Sequence, residues 1–103
     1  MKNGYKIFWT DFALHELEQT INYLEENWTA KEIRNFSAKL EETLVLLSQN
    51  PHLFQSSDVK KEIRRVVVAK HNSLYYRIIN DYIEVISFFS HRQNPDKKTP
   101  IIN

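Results

Sequence analysis

Three strand-forming runs fill the last third of the chain, at 63–69, 74–80 and 82–89, and only a few residues separate them. Parallel strands need a crossover of about a dozen residues or more. The links here are His71-Asn72-Ser73 and Asn80-Asp81, residue types that favour tight turns. The three runs must therefore fold as an antiparallel meander. Together they mix β-branched and aromatic residues with charged ones, which suits a half-buried sheet surface.

The apolar period upstream is that of helices. Leu14, Leu17, Ile21, Leu24 and Trp28 recur at spacings of three and four, and so do Ile33, Phe36, Leu40, Leu44 and Leu47. Thr10 and Asp11 suit the N-cap of the first helix. Thr29-Ala30-Lys31-Glu32 has the form of a capping box, so the chain breaks and restarts there. A break that short folds the two helices back as a hairpin. Asn50-Pro51 ends the second helix, because the residue before a proline is driven out of the helical region. Ahead of both helices, Tyr5-Lys6-Ile7-Phe8-Trp9 alternates as a short strand. The expected fold is α+β in the order β-α-α-β-β-β, with a helical hairpin packed on one face of a small, mainly antiparallel sheet.

At 103 residues the chain is expected to be a single domain spanning 1–103, with a loose polar tail over 96–103. It has no cysteine, which removes disulfides, thiol nucleophiles and thiolate metal sites together. One glycine leaves no room for a P-loop or a dinucleotide fingerprint. The histidines lack metal-ligand spacing, so no metal or cofactor is expected. No apolar run approaches the roughly 18 residues of a membrane span, and the expected location is cytoplasmic. Net charge is only +1, but it is divided. Residues 1–58 hold five Lys/Arg against nine Asp/Glu, while residues 59–103 hold nine against four. A basic sheet half points to an acidic or polyanionic partner, set against the plainer reading that each half is simply solvated.

Within that half, Ile63-Arg64-Arg65-Val66-Val67-Val68, Leu74-Tyr75-Tyr76-Arg77-Ile78-Ile79, Ile83-Glu84-Val85-Ile86 and the closing His91-Arg92-Gln93-Asn94-Pro95 follow one another. This layout resembles the RelE/ParE superfamily of bacterial toxins over Tyr5 to Pro95. These are the toxic halves of type II toxin–antitoxin modules, often labelled plasmid stabilisation proteins. The resemblance implies one of two activities. ParE-like members bind DNA gyrase and need no catalytic residue; RelE-like members are endonucleases that cut mRNA on the ribosome. Either kind is silenced by a cognate antitoxin protein.

The two activities ask different things of the same residues. Arg92 stands where RelE-like enzymes hold the phosphate, and His91 beside it is of the residue type that serves as acid or base. Those two are the catalytic candidates in the RelE-like case, against the plainer readings of a surface arginine and a strand-end histidine. Arg65, Arg77 and Arg92 are candidates for contact with a target or a phosphate. Alternation separates Arg64 from Arg65, so only one of them can share a face with Arg77. Trp9 and Tyr82 are candidate antitoxin anchors, since aromatics supply much of an interface's energy. Ser73 stands where many cutting members carry an arginine, and no tyrosine follows Arg92. Both departures favour the gyrase-binding reading, with the ribosome-dependent endonuclease as the alternative.

Overall fold

The structure is a computed structural model, and it describes residues 4–56, 62–69 and 71–91. Strand β1 (Lys6–Trp9) leads into helices α1 (Asp11–Asn27) and α2 (Ala30–Gln49). Strands β2 (Arg64–Ala69), β3 (Asn72–Ile79) and β4 (Tyr82–Ser90) follow. The sheet order is β1-β4-β3-β2. β1 runs parallel to β4, and the other two pairings are antiparallel. This is the α+β arrangement expected of the sequence. The expected tail from 96 onward lies outside the described residues.

Each helix starts where its cap residue stands. The Thr10 hydroxyl oxygen accepts the Ala13 N–H at 3.1 Å. Thr29 and Glu32 form the reciprocal capping box, each accepting the other's backbone N–H. α2 ends at Asn50, whose N–H still reaches the Leu46 carbonyl.

The core lies between the helices and one sheet face. Leu24, Phe36 and Leu47 of the helices meet Val66, Val68, Leu74, Tyr76, Ile83, Val85 and Phe88. The α2 stripe is the expected one. The α1 stripe is rotated from the expected one: Ala13, Leu17, Thr20 and Leu24 face inward, while Leu14 is exposed. Ala13 is small enough to let the helix sit close to the sheet. Thr20 is buried because its hydroxyl donates to the Glu16 carbonyl at 3.0 Å, so its polarity costs little there.

The strand links are tighter than the residue types alone indicate. Asn72 and Ser73, expected in a turn, already belong to β3, and Ala69 pairs with Asn72. Between β3 and β4 the loop is Asn80-Asp81, with Ile79 opposite Tyr82. Asn80 takes φ 53°, the left-handed region that asparagine tolerates best among residues with a Cβ.

β4 carries one residue more than its partner. Tyr76 pairs with Val85 and Tyr75 with Ser87, which leaves Ile86 as a bulge. Thr10, just past β1, holds this bulge: its N–H donates to the Val85 carbonyl at 3.0 Å and its hydroxyl to the Ile86 carbonyl at 3.3 Å. The same threonine therefore caps α1 and fixes the middle of β4.

Candidate functional site

The sheet face turned away from the helices holds the arginines. Arg65 pairs across the ladder with Tyr75, and Arg77 with Glu84, and cross-strand partners share a face. Tyr75 also joins Ile63, Ile86 and Phe89 in a second apolar cluster that includes no helix residue. Although it lies on the far side from the helices, Tyr75 is only 1% exposed. This cluster is thus packed on itself. Val67, two residues on from Arg65, and Phe8, opposite Glu84 on the β1 edge, are exposed apolar side chains on this same face.

Both arginines on this face are held in place. Arg77 Nε donates to Glu84 Oε1 at 2.7 Å, an ion pair that keeps the arginine side chain 47% exposed. Arg65 Nε donates to the Ser73 hydroxyl at 3.2 Å. Arg64 points elsewhere and donates to the Phe54 and His52 carbonyls, tying down the loop after α2. It serves the fold, and Arg65 is the one that joins Arg77.

His91 closes β4. Its N–H donates to the His71 carbonyl at 2.8 Å, and its ring meets the Phe89 ring edge to face at 4.8 Å. Arg92 lies outside the described residues. His91 is therefore the catalytic candidate whose surroundings are on view, and it rests on an aromatic ring of the arginine face.

The two candidate antitoxin anchors do not share a face. Trp9 packs on the helix side, with its ring 6.2 Å from that of Phe88. Tyr82 meets Phe8 edge to face at 5.2 Å. Phe8, 53% exposed, is the aromatic that sequence reasoning passed over. The signal was present in the strand period, because Ile7 and Trp9 turn inward and Phe8 must then turn outward.

A carboxylate on the helix side was also missed. Glu16 of α1 accepts the Ser87 hydroxyl at 2.7 Å and the Phe88 N–H at 2.8 Å, both on Oε1. Burial pushes its carboxyl above the ordinary range, and the bonds from Ser87 and Phe88 and the nearby His15 pull partly back. A partner 71 positions away leaves no local trace, so spacing could not reveal it. Among the described residues, no three His, Asp or Glu side chains cluster as metal ligands, and no helix is long and apolar enough to cross a membrane.

A family model for the ParE toxin of the type II toxin–antitoxin system parDE matches residues 7–95. The chain belongs to that family. Among solved structures it is similar to the chromosomal ParDE toxin–antitoxin system of P. aeruginosa, at 15% identity and a TM-score of 0.70. That match covers 86% of this chain and 98% of the other. It is similar also to the E. coli DinJ–YafQ toxin–antitoxin complex, at 12% identity and a TM-score of 0.60, over 87% and 96% of the two chains. The YoeB dimer from Staphylococcus aureus is a third likeness, at 17% identity and a TM-score of 0.56, over 84% and 97%. No curated protein matches the chain. At these identities the structural likenesses establish the fold.

Proposed function

We propose that this chain is the toxin of a type II toxin–antitoxin module, that it arrests growth by binding DNA gyrase, and that a cognate antitoxin neutralises it. Membership of the ParE toxin family supports the module and the antitoxin. The observation that carries the gyrase reading is the ion pair of Arg77 with Glu84. Strand cleavage by attack of a 2′-hydroxyl builds negative charge on the non-bridging oxygens of the phosphorane, and catalysis asks for cations aimed at that charge. A carboxylate 2.7 Å from the central arginine opposes such a build-up. The same pair suits the polar part of a protein-binding face, where opposite charges give orientation and selectivity.

On this reading Arg65, Arg77 and Arg92 meet the target. Tyr82, together with Phe8, anchors the antitoxin at the β1 side of the sheet. Trp9 contributes from the opposite face by shaping that edge. The module works inside the cytoplasm, where gyrase acts on DNA.

The test is to induce the protein alone in a sensitive bacterium and to compare it with a His91→Ala variant. The proposal expects gyrase-linked DNA breaks, a DNA-damage response and continued early translation, all unchanged in the variant. Immediate loss of translation, with mRNA cut within codons on ribosomes and relieved by His91→Ala, would replace it with the RelE-like endonuclease reading.

A further inference from the structure

A groove of about 580 Å³ runs between α1 and the end of β4, on the helix side of the sheet and away from the arginine face. Three aromatic rings line it, those of Phe12, Tyr23 and Phe88. So do two carboxylates, Glu16 and Glu26, and His15 next to Glu16 on the helix. The volume falls within the range of sites that hold a sizeable ligand.

The chemistry of the groove is specific in sign. Glu16 is drawn partly out of water, yet its two hydrogen bonds both end on Oε1. Among the described residues, Oε2 accepts none, and no lysine or arginine pairs with Glu16 or Glu26. A partly desolvated carboxylate that no lysine or arginine pairs is an arrangement that an arriving guanidinium stabilises. Aromatic faces beside it attract the same kind of group. Phe12 is 57% exposed at the mouth, so its ring is open to an arriving group.

We infer that this groove receives an arginine side chain of a partner protein, its guanidinium on the Glu16 and Glu26 carboxylates and its stem against Phe12 and Tyr23. Charge complementarity selects this occupant: residues 1–58 are acidic by four charges, so a basic segment is attracted to this half of the molecule. Arginine fits better than lysine, because its planar fork can stack on a ring while it bonds a carboxylate. Such a site would serve whichever target the arginine face meets.

The test uses the full-length protein, labelled for amide NMR and titrated with N-acetyl-arginine amide, and N-acetyl-citrulline amide as the neutral control. Expected are saturable shifts confined to α1 and the end of β4 with the arginine probe, and none with citrulline. Phe12→Ala and Glu26→Gln, both at exposed positions, should each weaken binding by about 2- to 5-fold while the spectrum stays dispersed. Equal shifts with citrulline, shifts spread over the acidic helix surfaces, or no shifts would overturn the inference. Two other occupants would overturn it as well. Binding that appears only when Arg92, Lys97 and Lys98 are all changed to alanine would give the groove to the chain's own last residues. Self-association lost in Phe12→Ala would give it to a second copy.

Discussion

Glu16 reaches across 72 positions of chain to accept the backbone N–H of Phe88 at 2.8 Å. β1 pairs with β4 only as far as Val85, and beyond that point the carboxylate of α1 supplies an acceptor in place of a strand. Ser87 joins the same oxygen. Glu16→Ala leaves both donors, on residues that are fully buried, without a partner. At about 1–3 kcal/mol for each buried unsatisfied group, the variant should lose roughly 2–4 kcal/mol in urea unfolding. Glu16→Gln keeps a carbonyl acceptor and should stay within about 1 kcal/mol of the native protein.

The same carboxyl makes stability depend on pH. Burial raises its folded-state pKa above the ordinary value of 4.5. Just above that value the folded protein therefore holds a proton that the unfolded chain has released. Stability falls as pH climbs through this window and levels off once both states are ionised. Glu16→Gln removes the contribution. The difference in stability between variant and native protein should move in the variant's favour from pH 4.5 upward, then stay flat toward neutrality. A difference that moves the other way would mean that the bonds from Ser87 and Phe88 outweigh burial.

Tyr76 provides a counterpart at alkaline pH. Its hydroxyl, fully buried, donates to the Pro51 carbonyl at 2.6 Å and ties the loop after α2 to the core. Burial pushes the phenol up to about 12, with Arg64 pulling it slightly back. The unfolded phenol ionises near 10, so this contribution is complete below pH 10 and disappears as pH rises toward 12. Tyr76→Phe should cost about 1–2 kcal/mol at neutral pH through the unpaired Pro51 carbonyl. It should also show a shallower alkaline decline than the native protein.

Gly4 stands where any side chain is strained. Its φ is +92°, and a Cβ there would lie 2.6 Å from the Ser48 hydroxyl and 3.0 Å from the Ser48 carbonyl oxygen. That closeness lets Tyr5 and Ser48 exchange hydrogen bonds of 2.8 and 2.7 Å and fixes the start of β1 on the end of α2. Gly4→Ala should cost about 1–3 kcal/mol. The loss should appear first as faster hydrogen exchange at the Tyr5 amide.

Element order was legible in the sequence because local rules produce it. The Thr29–Glu32 box, Asn50-Pro51 and the two-residue Asn80-Asp81 link each act within a few residues. The α1 register was not legible, because Ala13 and Thr20 look unlike core residues until the close sheet and the Glu16 carbonyl are present. The site divides in the same way. Alternation was enough to part Arg64 from Arg65, since it depends only on the strand period, but which of the two joins Arg77 came from the pairing of β2 with β3. The Ile86 bulge, the Glu16–Phe88 bond and the choice of Glu84 as the Arg77 partner depend on register between strands, which a single sequence does not specify.

The Arg77–Glu84 pair allows fold and function to be separated. Arg77 is 47% exposed on its side chain, and ion pairs at such positions are worth about 1 kcal/mol or less. Arg77→Ala should therefore unfold almost as the native protein does. If the arginine face binds its target through positive charge, the same change should weaken binding about 10-fold, or 1.4 kcal/mol. Glu84→Gln should do the reverse, because it removes the carboxylate that offsets Arg77. Both effects should shrink as salt is raised from 50 to 300 mM, about the range over which screening overtakes an exposed charge. Growth arrest on induction and gyrase capture by the purified protein read the two variants in parallel. Opposite shifts in both assays place the target on this face. Equal losses would mean that the pair serves to hold β3 against β4, and would move the target-binding surface elsewhere.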